Sequence, residues 1–554
     1  MSFSVLNRSE QIKKLKSETF DLVIIGGGIT GAGIALDAAS RGLKVGLVEK
    51  NDFASGTSNK STKLIHGGLR YLKQFEIGLV RETGSERAIV HKLAPHLVIP
   101  EKMLIPLVKG GTYGKIMTSI GLKVYDFLAD VKEDDRRRML DKEETLEREP
   151  LLDGNVVLGG GLYAEFRTDD ARLTIEILKK AATFGATIIN YCEMESFNYN
   201  NEDSKIKSLN CKDHNTGEHF KVKAKHYVSA AGPWVDKLRT KDHSNEHKHL
   251  HLTKGVHIVF PFEKLPLKQA VYFDEPDGRM IFAIPRGRVT YVGTTDTNYS
   301  GNLDRVVATK ADAEYLLNAI NSTFPTVNLN IDDIESNWAG LRPLIHEEDK
   351  DPSELSRKDE LFISKSGLIS IAGGKLTGYR KMAQRVMEAV LKQMKEKDKE
   401  VLKESRTHKI PLVEPSFEDS IQVTQFQNKI RSILLDYGIS DNYYAWYLST
   451  TYGKQADIVL EKSKEFIGED RLVALIRAEF WFCVNHEMVN SLTDFFVRRT
   501  GRLYFDLPSV KKYIEVILKD CTNYLNWDME RTAFELAHIK VLLEDATTYY
   551  TQEF

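Results

Sequence analysis

The sequence predicts a mixed α/β (α+β) fold with three parts: a discontinuous parallel-sheet domain, an antiparallel-sheet domain and a C-terminal helical domain. Three observations predict it. Residues 21–49 run a strand, a glycine turn, a helix and a second strand in succession. Residues 226–234 and 368–379 each carry an apolar strand into a turn of small residues. From residue 425 onward the spacing of apolar residues is mostly helical, and glycines are few.

Residues 21–49 carry a dinucleotide-binding motif of the Rossmann type. Gly26, Gly28 and Gly31 have the GxGxxG spacing. They allow a tight turn, a close approach of the backbone to a pyrophosphate, and close packing of the helix on the strand. The N-terminus of that helix presents amide groups and the positive end of its dipole to the phosphates. Glu49 follows the second strand, where a carboxylate accepts a hydrogen bond from the adenosine ribose. The motif alone does not distinguish NAD from FAD.

The two later strand segments make this domain discontinuous and favour FAD. Strands that return to one cofactor from distant parts of the chain are typical of large flavoproteins rather than of a compact NAD module. The predicted Rossmann-like FAD-binding domain therefore comprises residues 1–90, about 150–235 and 345–392. An ordinary strand end is the alternative for each later segment taken alone, because a strand followed by glycine is common.

Two further domains are predicted. Residues 272–295 alternate polar and apolar side chains, which is typical of an antiparallel sheet. We therefore predict that residues from about 91 to 149 and from 236 to 344 form a substrate domain that closes over the flavin. The charged stretch at 392–406 precedes a proline and indicates an exposed boundary. The C-terminal helical domain then covers residues 407–554.

Composition excludes several classes of protein. A chain of 554 residues exceeds the usual size of one core, so several domains or one large interleaved architecture are expected. A net charge of −2 gives no electrostatic reason to expect nucleic acid as a partner. Four cysteines without CxxC spacing argue against a zinc site or a disulfide framework, so we predict no metal and a cytoplasmic location. The N-terminus lacks the apolar core of a signal peptide, and no uncharged apolar run reaches the ~18 residues that span a bilayer.

Residues 55–71, SGTSNKSTKLIHGGLRY, have the composition of a cofactor loop. Hydroxyl side chains, Lys63, His66, two glycines, Arg70 and Tyr71 crowd into this segment, and no helix or strand template explains it. Such a loop can place amides, hydroxyls and an imidazole against an isoalloxazine ring and its ribityl chain. The adjacent glycines permit a close approach of the backbone.

The predicted FAD-binding residues come from these segments and from the two later strand–turn segments. The helix expected after the second glycine pair, at 373–374, would offer its positive end to the pyrimidine edge of the flavin. The predicted set is Gly26, Gly28, Ile29, Thr30, Gly31, Glu49, Lys50, Thr57, Ser58, Ser61, Lys63, Leu64, His66, Ala231, Gly232, Trp234, Gly373, Gly374, Lys375, Leu376 and Thr377.

Seven motifs follow one another along the chain: KLIHGGLRYL (63–72), APHL (94–97), AAGPWV (230–235), KGVHIV (254–259), VGTTD (292–296), GLRPL (340–344) and AGGKLTGYRK (372–381). With them the chain closely resembles, nearly end to end, the FAD-dependent glycerol-3-phosphate dehydrogenases of the aerobic bacterial type. The resemblance implies oxidation of sn-glycerol 3-phosphate to dihydroxyacetone phosphate by hydride transfer from C2 to flavin N5, with electrons leaving for a membrane quinone.

Three alternatives are open beside this function. Oxygen-using relatives of the family, the glycerol-3-phosphate oxidases, carry a long insertion between the GLRPL and GGK motifs. Here Arg342 and Lys375 are only 33 positions apart, which favours a dehydrogenase. In a related FAD-dependent amino-acid oxidase, an arginine would bind the carboxylate of the substrate. The additional cations Arg70 and Lys375 favour a phosphate instead. A flavin-binding sensor without turnover would not need His66 together with Arg342 and Lys375.

The reaction requires cations that hold the phosphate so that C2 lies close to the flavin. Arg342 and Lys375 are the first choices for this anchoring, with Arg70 and Tyr71 beside them and Thr295 as a further substrate contact. Guanidinium groups match phosphate oxygens bidentately, and a lysine acts as a point charge.

The reaction also requires a group that takes the hydroxyl proton. His66 is the first choice, because its motif resembles the flavin-facing histidine of the family and imidazole titrates near working pH. His257 is the second, so the predicted catalytic set is His66, Arg342, Lys375 and His257. An arginine or lysine could instead stabilise the forming alkoxide while water takes the proton.

A quinone acceptor requires contact with a membrane, and the sequence predicts peripheral attachment at the inner face of the cell membrane. Residues 113–128 place apolar side chains on one helical face with lysines nearby, which is one candidate contact. Packing of that stripe on the core is the stronger interpretation. No motif predicts the oligomeric state, and a homodimer is the assembly considered.

Overall fold

The computed structural model describes residues 3–67, 77–111, 137–245, 248–345 and 358–554. Its strands are, in chain order, β1 (Thr19–Ile25), β2 (Val45–Val48), β3 (Leu64–Ile65), β4 (Ile99–Val108), β5 (Arg138–Leu140), β6 (Val157–Arg167), β7 (Thr187–Ile189), β8 (Cys192–Tyr199), β9 (Ile206–Asp213), β10 (His219–Ser229), β11 (Leu250–Pro261), β12 (Ala270–Asp274), β13 (Met280–Arg286), β14 (Val289–Gly293), β15 (Thr297–Asn298), β16 (Ser336–Ile345), β17 (Asp359–Ile363) and β18 (Ile369–Gly373).

The α-helices of the described residues alternate with strands in the first part of the chain and follow one another in the last part. They are α1 (Arg8–Ser17), α2 (Ile29–Arg41), α3 (Ile77–Leu93), α4 (Lys142–Arg148), α5 (Asp170–Thr183), α6 (Val235–Lys241), α7 (Lys310–Thr323), α8 (Tyr379–Gln393), α9 (Glu396–Lys399), α10 (Ser420–Asp436), α11 (Asn442–Tyr452), α12 (Ala456–Ser463), α13 (Arg471–His486), α14 (Arg502–Phe505), α15 (Leu507–Leu525) and α16 (Met529–Thr547).

The first sheet is built around β1, which pairs in parallel with β2 and β10. β7 and β18 extend the parallel sheet on either side, and β17 closes one edge antiparallel to β18. A parallel strand that is covered on both faces needs a continuous apolar run, which β1 provides. Helices α5 and α8 both pack on α2. The prediction that residues 21–49, 226–234 and 368–379 meet in one discontinuous Rossmann-like sheet is confirmed.

The second sheet is mainly antiparallel. The meander β12–β13–β14 covers the predicted segment 272–295 and is antiparallel throughout, which confirms that expectation. Its neighbour β11 pairs along most of its length with β16, so that Gly255 lies opposite Gly340 and Thr253 opposite Arg342. β6 also belongs to this sheet, although it falls in the range 150–235 that the sequence assigned to the FAD-binding domain. The domain ranges stay predictions.

The C-terminal part is helical, as predicted. Helices α10 to α16 and a π-helical turn, Asp494–Arg499, surround an apolar core of their own. The last of these helices, α16, packs on β16 of the second sheet. None of the described helices has the combination of length and apolar character that is needed to cross a membrane. The predicted apolar stripe at 113–128 lies outside the described residues.

A buried ionic network joins the C-terminal helices to the first sheet. The side chain of Asp52 is fully buried and accepts hydrogen bonds from Arg498 Nε (2.5 Å), Arg499 Nη1 (2.7 Å) and Asn190 Nδ2 (3.0 Å). Although burial disfavours its charge, Arg499 and Arg498 hold the pKa of Asp52 well below its usual range. Tyr191 donates to Asp494 of the same π-helical turn at 2.6 Å. The network therefore connects the turn to the loop that follows β2.

Candidate active site

A cavity of about 340 Å³ lies at the carboxyl ends of β1, β2, β10 and β18. Ligands of parallel α/β sheets bind at this edge, where the strand order reverses. Most of the predicted FAD-binding residues line the cavity, although the sequence drew them from four separate segments. They are Gly26, Gly28, Ile29, Thr30, Glu49, Lys50, Thr57, Ser58, Ser61, Ala231, Gly232, Trp234, Gly373, Gly374, Lys375 and Leu376.

The glycine turn has the geometry that its motif predicts. Gly26 has φ +115°, a backbone conformation that L side chains rarely adopt. A Cβ atom on Gly31 would overlap the carbonyl oxygen of Gly26, so glycine is required where α2 crosses the end of β1. Helix α2 begins at Ile29, and its N-terminus faces the cavity. This end of the helix is suited to bind an anion.

Glu49 contacts the glycine turn from the end of β2. Its Oε2 accepts from the Gly27 amide at 2.7 Å, and its Oε1 accepts from the Asn51 amide at 2.9 Å. Burial raises the pKa of Glu49, while these two amides and Lys50 oppose the rise. The carboxylate is thus held at the end of β2, in the position from which the motif predicts a contact with ribose.

The loop at 55–67 is mostly irregular, as predicted, but it contains a 3₁₀ turn, Thr57–Asn59, and the short strand β3. The hydroxyl of Ser58 accepts from the amide of Ile29 at 2.9 Å, and the hydroxyl of Thr57 donates to the carbonyl of Leu341 at 2.8 Å. The loop therefore ties the first sheet to the second. Arg70 and Tyr71 lie outside the described residues.

Five predicted FAD-binding residues do not line the cavity: Gly31, Lys63, Leu64, His66 and Thr377. Lys63 is 1% exposed, and its ammonium forms a 2.5 Å ion pair with Asp170, so it holds the base of the loop instead. Leu64 belongs to β3. His66 and Thr377 contact each other: the His66 amide donates to Thr377 Oγ1 at 3.1 Å, and that hydroxyl donates to the His66 carbonyl at 3.0 Å.

Arg342 projects from β16 into a polar setting on the second sheet. Its Nη1 lies 3.2 Å from Asp296 Oδ1, and its Nη2 donates to Thr294 Oγ1 at 2.8 Å and to the Thr295 carbonyl at 3.1 Å. A Cβ atom on Gly255 would overlap this guanidinium, so glycine on β11 makes room for it. The sequence predicted Arg342 but not the residues that fix its position.

Thr295 was predicted to contact the substrate, but its hydroxyl points into the protein. The residue is 1% exposed, and its hydroxyl accepts from the Val256 amide at 3.0 Å. The hydroxyl that meets Arg342 belongs to Thr294 instead. Adjacent residues of an extended segment point to opposite sides, and no sequence pattern separated these two threonines.

His257 is buried next to this arginine. It is 1% exposed, its ring stacks on Trp338 with centroids 4.7 Å apart, and its Nε2 shares a 3.0 Å hydrogen bond with Thr62 Oγ1. Burial, together with the charges of Arg342 and Lys63, holds the pKa of His257 well below its usual range. Its imidazole is therefore neutral at physiological pH.

Several residues that line the cavity were missed by the sequence. They include the start of β8, with Cys192, Glu193 and Met194, and one face of α6, with Lys237 and Leu238. The first group carries no motif, because its position depends on the turn between β7 and β8. The second group directly follows the AAGPWV motif, so predicting a helix at that position could have identified it.

The polar groups around the cavity fit FAD. Trp234 Nε1 is buried in the lining, and among the described residues none accepts its hydrogen bond. Lys50 lies over the Trp234 ring at 4.5 Å and pairs with Asp304 at 2.5 Å. A helix N-terminus, a carboxylate at the end of β2 and the hydroxyl-rich loop complete a donor and acceptor set suited to a dinucleotide.

Comparison with known proteins agrees with this geometry. Residues 21–380 match the model of the family described as FAD dependent oxidoreductase. The chain belongs to this family. Residues 405–532 match a second model, the C-terminal domain of alpha-glycerophosphate oxidase.

The chain is similar over nearly its whole length to aerobic glycerol-3-phosphate dehydrogenases. The protein of Bacillus subtilis (strain 168) is 49% identical over 547 residues, which cover 98% of each chain, and that of Staphylococcus aureus (strain MRSA252) is 49% identical over 95% of each. The solved structure of the glycerol-3-phosphate dehydrogenase of Bacillus halodurans complexed with FAD superposes with a TM-score of 0.84 at 41% identity and covers 100% of both chains. The predicted family and its FAD cofactor are confirmed.

Proposed function

We propose that this chain oxidises sn-glycerol 3-phosphate to dihydroxyacetone phosphate with FAD and passes the electrons to a quinone in the membrane. The observation that carries the proposal is the position of two cations relative to the cavity lining. Lys375 is part of the lining, and Arg342 directly precedes the lining residue Pro343. The names of the relatives support the same substrate.

The cavity-lining residues would hold FAD in an extended form. Glu49 would accept from the adenosine ribose, the N-terminus of α2 would face the pyrophosphate, and the turn at 373–376 would lie against the ring. When bound, FAD supplies the acceptor for a hydride from C2 of the substrate.

Arg342 and Lys375 would anchor the phosphate of the substrate. A guanidinium binds two phosphate oxygens in a planar fork, and its orientation decides where the rest of the substrate lies. Asp296 and Thr294 limit the rotation of the Arg342 guanidinium through the contacts described above. Arg70 and Tyr71 stay proposed as further contacts to the phosphate.

We propose His66 as the group that takes the hydroxyl proton, with His257 as the alternative. A neutral imidazole can accept a proton, and the lowered pKa of His257 keeps it neutral. His257 is nevertheless 1% exposed and engaged with Thr62. His66 is only partly buried and its backbone is joined to the turn that follows Lys375, which supports it as the group within reach of the substrate.

The quinone acceptor requires contact with a membrane, and peripheral attachment at the inner face of the cell membrane is part of the proposal. Soluble artificial acceptors separate this part from the rest, because they do not depend on a membrane.

Replacing Arg342 with alanine tests the phosphate anchor. We expect KM for sn-glycerol 3-phosphate to rise by about 10- to 100-fold, because a lost charge-assisted contact is worth about 1.5–3 kcal/mol. FAD content should be unchanged, since Arg342 is not part of the cavity lining. Steady-state kinetics with a soluble acceptor measures KM, and the visible spectrum measures FAD.

Two further variants control this experiment. Arg342→Lys keeps the charge but loses the planar fork, so its KM should lie between that of the unmodified protein and that of Arg342→Ala. Arg279→Ala removes an arginine that pairs with Asp277 near the surface of the same sheet, and its KM should equal that of the unmodified protein. Loss of FAD from Arg342→Ala would contradict its assignment to the substrate.

A further inference from the structure

Residues 548–554, called the C-terminal segment below, follow α16 and contact β11 and α7. Tyr549 packs against the apolar core that these two elements share. Glu553 forms an ion pair with Lys254 of β11, whose ammonium also pairs with Asp312 of α7 at 2.5 Å. Lys254 belongs to the KGVHIV motif and is 2% exposed, and the proposed oxidation gives it no role. The segment is therefore anchored on a buried cation.

The backbone of the C-terminal segment also fixes the loop that joins β15 to α7, residues 299–309. The Asn302 amide donates to the Phe554 carbonyl at 2.9 Å. At the start of α7, the Lys310 amide donates to the Tyr550 carbonyl at 2.8 Å. The loop is thus bound to the segment at two places.

Arg305 adds a side-chain link from the same loop. Its guanidinium pairs with Asp545, near the end of α16, at 2.8 Å and lies over the Phe554 ring, 4.1 Å from the centroid. The Tyr550 hydroxyl donates to the same carboxylate at 2.7 Å. A guanidinium that contacts both a carboxylate and an aromatic ring is held more firmly than one in a simple surface ion pair. Arg305 therefore couples the loop to the segment and to α16.

The loop reaches the FAD cavity through Asp304. Its carboxylate pairs with Lys50 at 2.5 Å, and Lys50 lies over the Trp234 ring at 4.5 Å. All three residues line the cavity, and Lys50 directly follows Glu49, the proposed ribose contact. The side-chain oxygen of Asn302 accepts from the Asp304 amide at 2.9 Å. A continuous path of contacts therefore runs from the C-terminal segment to the wall of the cavity.

The ion pair of Asp304 with Lys50 holds the loop only weakly. The side chain of Asp304 is 49% exposed, and solvent screens an ion pair in such a position. Residues 299–309 are irregular, and irregular loops open locally at low cost. The position of Asp304 therefore depends on the contacts that Asn302 and Arg305 make with the C-terminal segment.

We propose that the C-terminal segment holds the loop at 299–309 against the FAD cavity and thereby limits the dissociation of FAD. Asp304 is the positioning residue that passes this restraint on to Lys50 and Trp234. Release of the segment lowers the fraction of molecules whose cavity wall is in place, and the observed affinity for FAD falls with that fraction. The inference rests on the FAD cofactor and not on the identity of the substrate.

The test measures how fast bound, labelled FAD exchanges for an excess of unlabelled FAD in the purified, FAD-loaded protein. Deletion of residues 550–554 removes most of the segment, and Glu553→Gln breaks only its ion pair with Lys254. We expect FAD dissociation to be at least about tenfold faster after the deletion and about three- to tenfold faster in Glu553→Gln. Glu314→Gln is the matched control and should leave the rate unchanged, because this exposed glutamate of α7 pairs with the exposed Lys310 at 3.7 Å.

Asp304→Asn tests the path from the loop to the cavity. Alone, it should make FAD dissociation about two- to fivefold faster. Combined with the deletion, it should add little, because the loop is already free. A segment that merely stabilised the fold, without acting through Asp304, would instead give two rate changes that multiply.

Two results would overturn the proposal. One is an unchanged rate of FAD exchange in both the deletion variant and Glu553→Gln. The other is multiplication of the two rate changes in the combined variant. If the deletion variant does not fold, Glu553→Gln takes its place, and its rate combined with Asp304→Asn should fall below the product. sn-Glycerol 3-phosphate takes no part in the exchange, so failure of the proposed function would not change this result.

Discussion

Asp52→Asn should lower the free energy of unfolding by about 3–5 kcal/mol, because it removes the ion-pair partner of the buried Arg499 and one of the two partners of Arg498, which keeps Asp494. Arg498 and Arg499 both donate to Asp52, whose side chain is fully buried. Loss of these contacts should also release FAD. Asp52 lies in the loop that begins at Glu49, and the same loop returns to the glycine turn where the Ala54 amide donates to the Gly27 carbonyl at 3.1 Å. Thermal unfolding and the release of flavin fluorescence measure the two effects.

The pH dependence of this effect has a definite sign. The pKa of Asp52 is lowered in the folded state, so its contribution to stability is present above the pKa of the unfolded state, about 3.9, and is lost as pH falls below it. The difference between the unmodified protein and Asp52→Asn should therefore be full at pH 7 and shrink below about pH 4.

A matched control separates this network from an ordinary ion pair. Asp457→Asn breaks the exposed pair with Lys429 in the C-terminal domain and should cost less than about 1 kcal/mol. If Asp52→Asn changed stability no more than Asp457→Asn does, the buried network would not be what holds the C-terminal helices to the cofactor loop.

Gly31→Ala should yield a folded protein that retains almost no FAD. The added Cβ atom would overlap the backbone oxygen of Gly26, which cannot rotate away as a flexible side chain could. Helix α2 must then move off the end of β1 at a cost of about 1–3 kcal/mol, and its N-terminus no longer faces the pyrophosphate correctly. The ratio of flavin to protein absorbance after purification measures retention.

Gly78→Ala is the matched control for that substitution. Gly78 is exposed on α3, and a Cβ atom there meets no atom of the described residues within 4 Å. Because alanine favours a helix more than glycine does, this variant should be as stable as the unmodified protein or more so, and should keep its FAD. Full FAD content in Gly31→Ala would refute the packing argument for the motif.

The local part of the cofactor site could be predicted from the sequence because its signals are short-range. The strand, glycine turn, helix and acidic residue of 21–49 lie within one supersecondary unit, and each has a physical reason for its residue type. The strands at 226–234 and 368–379 were predictable for the same reason, since each has an apolar run with a turn of small residues at its end.

The remaining part depends on contacts between distant segments. Lys63 stands in a loop rich in cofactor-type residues, yet its ammonium pairs with Asp170, 107 positions away. The guanidinium of Arg342 is fixed by Asp296 and Thr294 through strand pairing that no local pattern encodes. The same holds for Glu193, which lines the cavity because of the turn between β7 and β8. Side-chain direction in extended segments and long-range pairing therefore limited the prediction.

The most direct measurement of the central claim is anaerobic mixing of the yellow, FAD-loaded protein with sn-glycerol 3-phosphate while the flavin absorbance is followed. The phosphate ester should bleach the flavin rapidly, whereas glycerol and D-amino acids at the same concentration should not, because they lack the phosphate that Arg342 and Lys375 are proposed to bind. A protein that holds FAD but is not bleached by sn-glycerol 3-phosphate, or that is bleached equally by a D-amino acid, would contradict the account.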